Sequence, residues 1–174
     1  MYRSILPLVL LPFLFAPASQ PAATPPVPHC QVPCGIYGDS MRIAMMMEDA
    51  TTIEKGMKSI TDMEKSGEFA HNQMVRWIMT KDDHAAKIQE QVASYWLAQR
   101  IKIPAAGADE AAKAKYHQQL ALLHGITVAA MKCKQTTDTA WPAKLREHAT
   151  AFSETYFSKE DLEHLHGEHG GEHK

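Results

Sequence analysis

The chain contains only three cysteines in 174 residues, and what does not surround them narrows their role. No second Cys-x-x-Cys and no His-x-x-x-His stands near Cys30 and Cys34, so the four protein ligands of a structural zinc site are missing. No histidine follows Cys34; Gly35 does, and a haem-attachment motif is therefore absent. Cys30 is preceded by His29 rather than by a small residue, which argues against lipidation. Other absences act on the whole chain. No apolar/polar alternation marks a strand, and no internal repeat appears. With 18 basic and 20 acidic residues and a formal charge of −2, there is no basic stripe for nucleic acid.

Long apolar runs are also missing. The longest, Ile5–Phe15, is broken by Pro7 and Pro12 and is too short to span a bilayer. Arg3 precedes it and Ala16-Pro17-Ala18 follows, the three-part plan of a secretory signal peptide over residues 1–18. There is no twin arginine, so export is expected before folding. Residues 19–28, rich in proline and alanine, read as a short propeptide without packed structure. The expected product is an exported protein, periplasmic or extracellular, with no membrane anchor left after processing. Removing residues 1–28 takes away one cation, Arg3, and leaves 146 residues with a formal charge of −3. That length suits one domain with a real core.

What is present is helical. A first helix is expected over about Ser40–Ser66, capped by Asp39 or Ser40 and stopped by Gly67, with Met46, Ala50, Ile53, Met57 and Ile60 on one face. A second is expected over about Glu68–Lys102, bending near Lys81-Asp82-Asp83, with a stripe of Ala85, Ile88, Val92 and Trp96. Pro104 and Gly107 end it. Asp109 caps a third helix over about 109–135, whose face is Tyr116, Leu120, Leu123, Thr127 and Ala130. The fourth has Pro142 in its first turn and a face of Leu145, Ala149, Phe152 and Tyr156. Short connections between four amphipathic helices favour an all-α, antiparallel up-down four-helix bundle over residues 40–160. Met45-Met46-Met47 reads as adaptable core filling and Cys133 as a buried core thiol. His71, His117, His124 and His148 are scattered and read as structural or solvated. Residues 161–174 hold His164, His166, His169 and His173 among Gly and Glu; this is a flexible tail, either metal-attracting or merely soluble.

The chemistry concentrates in His29-Cys30-Gln31-Val32-Pro33-Cys34-Gly35-Ile36-Tyr37. Pro33 and Gly35 favour a tight, non-helical loop over residues 29–39, able to gather two sulfurs and an imidazole around one ion. Taken alone, a Cys-x-x-x-Cys pair in an exported protein is most simply a disulfide. The full pattern, however, resembles the nickel-binding hook of the nickel superoxide dismutases. His29, Cys30, Pro33, Cys34, Gly35, Ile36 and Tyr37 each fill a position of that motif, with Gln31 where relatives often carry aspartate. A weaker similarity involves Arg76, Lys81 and Trp96 in the second helix.

The resemblance implies one nickel ion per subunit as cofactor. Its ligands would be the Cys30 and Cys34 thiolates, the backbone nitrogen of Cys30, the α-amine of His29 and, axially, the His29 imidazole. Thiolate and amidate donors lower the Ni(III)/Ni(II) potential and suit planar Ni(II). Tyr37 would be the catalytic phenol that gates or orients superoxide at the open axial side. The expected assembly is a homohexamer that buries each hook. A processing protease would have to expose His29, since its α-amine is a ligand. One departure concerns the residues that orient the axial imidazole. Relatives often use a glutamate in the first helix and an arginine in the second, where this chain has Ala44 and His84; either His84 or a nearby carboxylate such as Glu48 or Asp83 substitutes, or the axial ligand is held differently.

Two other readings fit the same residues: a non-catalytic exported bundle that captures nickel or copper through Cys30, Cys34 and the tail, and a helical protein stapled by a Cys30–Cys34 disulfide. Processing separates them. Protein from its native source is expected to begin at His29 by mass spectrometry, and one extra residue ahead of His29 is expected to abolish activity with helix content unchanged. Active, nickel-loaded protein that begins at Ser19 would contradict the hook.

Overall fold

In the computed structural model, residues 37–67 and 70–162 are described. The signal peptide, the propeptide, hook residues 29–36 and the tail from 163 onward lie outside them. The described residues form helices and connecting turns: α1 (Asp39–Ser66), α2 (His71–Gln91), a π-helical segment that continues it (Val92–Arg100), α3 (Glu110–Gln135) and α4 (Ala140–Tyr156). A last helical turn covers 159–162.

Each helix packs on the next, and α4 closes the ring against α1. Cross-helix contacts run in opposite order along every neighbouring pair. From α1, Arg42 meets Gln91, Asp49 meets His84 and Glu54 meets Arg146. From α3, Gln119 donates to the Thr155 carbonyl, while Gly125 lies against His148. The bundle is therefore all-α, antiparallel and up-down, as the short connections imply.

The apolar stripes meet where expected. Met46, Ala50, Ile53 and Met57 of α1 are fully buried, as are Ala85, Ile88, Trp96, Leu145, Ala149 and Phe152. Met46 alone of the methionine triplet is sealed in the core, and Met45 is exposed. Cys133 is also buried, and burial pushes its thiol up to about 11, so it is an inert core thiol. Around Trp96 the rings of Tyr95, Phe152 and Tyr156 stand with centroids 5.0–5.1 Å away, nearly perpendicular to it. Rings of this size stabilise the core by about 1.5–3 kcal/mol each through burial, and edge-to-face geometry adds to that.

Several local expectations hold. Gly67 ends α1 in the left-handed region at φ 70°, which glycine adopts without steric cost. The Asp109 carboxylate accepts from the Ala112 N–H at 2.7 Å and caps α3. At Gly125 a Cβ would lie 2.9 Å from His148 Nε2, so only glycine lets that imidazole rest on α3.

Others are corrected. Neither Asp39 nor Ser40 caps α1; Gly38 is the cap residue and makes no side-chain bond, because the Asp39 carboxylate is engaged elsewhere. Helical hydrogen bonding in α2 runs unbroken through Lys81-Asp82-Asp83, and the change of winding comes later, at Val92. The α3 face is wider than the expected one: Leu123 and Ala130 are buried and Tyr116 and Leu120 pack against the core as expected, Ile126, Ala129 and Cys133 are buried beside them, and Thr127 is half-buried and donates its hydroxyl to the Leu123 carbonyl.

Lys81 is the unexpected buried charge, only 4 % exposed. Its ammonium donates to the Cys133 carbonyl at 2.8 Å, the Lys134 carbonyl at 2.9 Å and Asp82 at 2.7 Å. It thereby satisfies two otherwise unpaired carbonyls at the C-terminus of α3 and complements that end of the helix dipole. Lys81→Met keeps the apolar stem and removes the donor. It is expected to cost about 1–3 kcal/mol, read as a lower urea midpoint with an unchanged m-value.

Candidate metal centre

Tyr37 is the first described residue after the hook and joins the loop to α1. Its ring is 38 % exposed and lines an open pocket of about 480 Å³ with Asp39, Ser40, Arg100, Tyr156, Phe157 and Asp161. The ring is held from two sides. The Tyr95 ring meets it edge-on, with centroids 5.9 Å apart. The Arg100 guanidinium lies over it, 4.1 Å from the centroid.

Both contacts depend on Asp39. Its carboxylate accepts from Arg100 Nε at 2.9 and 3.1 Å and from Arg100 Nη2 at 2.5 Å. The Tyr95 hydroxyl donates to Oδ1 at 2.5 Å, and the Tyr156 hydroxyl donates to Oδ2 at 2.8 Å. One carboxylate at the start of α1 thus joins the π-helical segment and the end of α4. The π-turn is what makes this reachable. In an α-helix, residues five apart point about 140° away from each other, whereas i→i+5 winding brings them near one face. Tyr95 and Arg100, five apart, both reach Asp39, and the Ile101 N–H completes the segment by donating to the Trp96 carbonyl at 2.9 Å.

The electrostatics follow. Burial would raise the Asp39 carboxyl, but the hydrogen bonds from Arg100, Tyr95 and Tyr156 outweigh it and hold the group below its ordinary value. Burial, and then donation to Asp39, pushes the Tyr156 phenol up to about 12 and Tyr95 further still. Both phenols are therefore protonated donors at neutral pH. The Tyr37 hydroxyl makes no hydrogen bond among the described residues.

Of the site residues expected from sequence, only Tyr37 falls within the described residues; His29, Cys30 and Cys34 lie outside them. His84, which stands where relatives often carry the arginine, pairs through Nδ1 with Asp49 at 2.5 Å. That pair sits about 15 Å along α1 from Asp39. No group of three or more His, Cys, Asp or Glu able to hold a metal occurs among the described residues. The scattered histidines of the bundle thus form no second centre there. Sequence reading missed Arg100 altogether and assigned Asp39 to a cap and Tyr156 to a core stripe. The one available signal was the five-residue spacing of Tyr95 and Arg100, which α-helical periodicity discards.

The Asp39 group makes stability pH-dependent with a defined sign. A carboxyl depressed in the folded chain contributes stability above its unfolded value, near 3.8, and loses it as pH falls through the lower folded value. Asp39→Asn is expected to cost about 1–3 kcal/mol at pH 7 and to flatten the stability curve below pH 3.8, measured by urea unfolding across pH.

No curated protein and no solved structure matches the chain. A family model described as nickel-containing superoxide dismutase matches residues 22–160, a span that takes in the hook motif and the whole helical ring. With that match over most of its length and an all-α bundle that carries Tyr37 at one end, the chain belongs to the nickel-containing superoxide dismutases, oxidoreductases that use nickel as their cofactor.

Proposed function

We propose that His29, Cys30 and Cys34 hold the nickel and that the enzyme disproportionates superoxide by a ping-pong reaction. One superoxide gives up an electron and leaves as oxygen; a second accepts it, takes up two protons and leaves as hydrogen peroxide. The donor chemistry fits the ion. The Cys30 and Cys34 thiolates, the Cys30 amide nitrogen, and the His29 α-amine and imidazole would hold the ion, and thiolate and nitrogen donors of this kind would stabilise its higher oxidation state. When bound, nickel supplies the one-electron exchange by alternating between Ni(III) and Ni(II).

The chain's residues do the rest. By residue type, Pro33 would stiffen the chain ahead of Cys34 and Gly35 would permit a tight turn after it. Tyr37 is the catalytic phenol of the proposal: it borders the pocket, and its hydroxyl is not engaged by Asp39. It is available to orient superoxide, whereas Tyr95 and Tyr156 are occupied as donors to the carboxylate. Export, removal of residues 1–28 by a processing protease and assembly into a homohexamer complete the proposal.

The observation that carries this reading is the continuity of the family match through residues 29–37 into the bundle on which Tyr37 rests. Cys30→Ser and Cys34→Ser are expected to reduce dismutase activity to background with helical circular dichroism intact, since a hydroxyl is a harder and weaker donor. Deleting Leu162–Lys174 is expected to lower total nickel bound but leave turnover per hook nickel unchanged, and His29→Gln the reverse. Metal content measured beside turnover checks both. Activity that survives both cysteine substitutions would move the site elsewhere in the chain.

A further inference from the structure

Arg100 has two contacts that do different things. Its N–H groups bind the Asp39 carboxylate, while the face of its guanidinium covers the Tyr37 ring at 4.1 Å. The first contact fixes the plane of the guanidinium, because a two-nitrogen interaction with a carboxylate is directional. The second transfers that orientation to Tyr37. A second contact comes from Tyr95, which meets the ring edge-on and is itself tied to Asp39 and covered by the Arg42 guanidinium at 4.7 Å. The side chain that exits the hook is therefore oriented by groups from a different helix.

The charge of Arg100 is not free to act on an anion at a distance. Asp39 lies against it and neutralises it locally, and the interaction in turn raises the Arg100 guanidinium above its ordinary value. Lysine could restore the charge but not the arrangement, since an ammonium has neither a flat face nor a two-pronged donor edge.

We propose that Arg100 is a positioning residue for the superoxide reaction: anchored on Asp39, it clamps the Tyr37 ring and so sets where the phenol hydroxyl stands beside the hook. This rests on the reading of Tyr37 as the catalytic phenol. Arg100 does not attract superoxide and does not touch it; it acts through Tyr37.

The clamp is tested first without activity. 3-Fluorotyrosine placed at position 37 of the metal-free, otherwise unaltered chain is expected to give a ¹⁹F resonance shifted and broadened relative to free fluorotyrosine. It is expected to collapse to the free value in Arg100→Lys and Arg100→Gln. A free-like resonance in the unaltered sequence overturns the clamp, and that result needs no variant to fold. In nickel-loaded protein, Arg100→Lys is expected to lower turnover about 10–100-fold by displacing a reacting group, with nickel content unchanged. In a Tyr37→Phe background, where there is no hydroxyl to place, the same substitution is expected to change turnover less than about two-fold, a full coupling between the two positions. Additive losses overturn the proposal. The slope of turnover against ionic strength is expected to be the same for Arg100→Gln as for the unaltered enzyme; a flattened slope would assign Arg100 to anion attraction instead. Tyr37→Phe with full activity beside an intact ¹⁹F signature overturns the catalytic role of Tyr37, and with it this proposal, while leaving the clamp standing.

Discussion

A single carboxylate holds together the end of the bundle that carries Tyr37. Asp39 accepts hydrogen bonds from Arg100, Tyr95 and Tyr156, groups carried by the π-helical segment and by α4. Its own position in the first turn of α1 puts negative charge where the helix dipole favours it. A partly buried anion without partners would be costly, and three directional donors with one balancing cation remove that cost. Because the interaction needs all three helical segments in register, it fixes the angle at which the chain enters α1. Tyr37, two residues earlier, inherits that angle. The placement of Tyr37 at the pocket thus depends on groups from the π-helical segment and α4.

The hook and the bundle divide the work accordingly. In the proposed function residues 29–34 would carry the donor atoms, and that chemistry is local enough to be read as a motif. The bundle supplies orientation and enclosure. That division accounts for the fate of Ala44 and His84. His84 is engaged by Asp49 within the ring of helices, so the pair holds α1 to α2 rather than standing near Asp39. Gln91 does the same nearer the site by donating to the Arg42 carbonyl at 2.6 Å.

Legibility in the sequence followed the range of the interaction. The helix stripes on α1 and α4, the Gly67 stop, the Asp109 cap and the hook motif were readable because each is set by residues a few positions apart. Asp39 was misread because caps are inferred from the helix that follows, whereas its partners come from two other helices. Arg100 was invisible because its role requires a five-residue period, and an α-helical template scores that as noise. Lys81 carries no local mark either. A lysine in an apolar stripe signals a solvated edge, and only the docked C-terminus of α3 turns it into a buried donor.

The contacts around Asp39 are also among the most distant in chain order. Asp39 meets Tyr95 across 56 positions, Arg100 across 61 and Tyr156 across 117. Closing a chain costs entropy that rises with the length enclosed, by roughly 0.6 kcal/mol per doubling, and contacts of this separation form only once the intervening helices have docked. The Tyr156 hydrogen bond to Asp39 is therefore absent from a single helical hairpin and from any chain still lacking α4. Only a chain folded to its last helix satisfies Asp39 with all three donors, so the completed hydrogen-bond set around this carboxylate is a report on the completed topology.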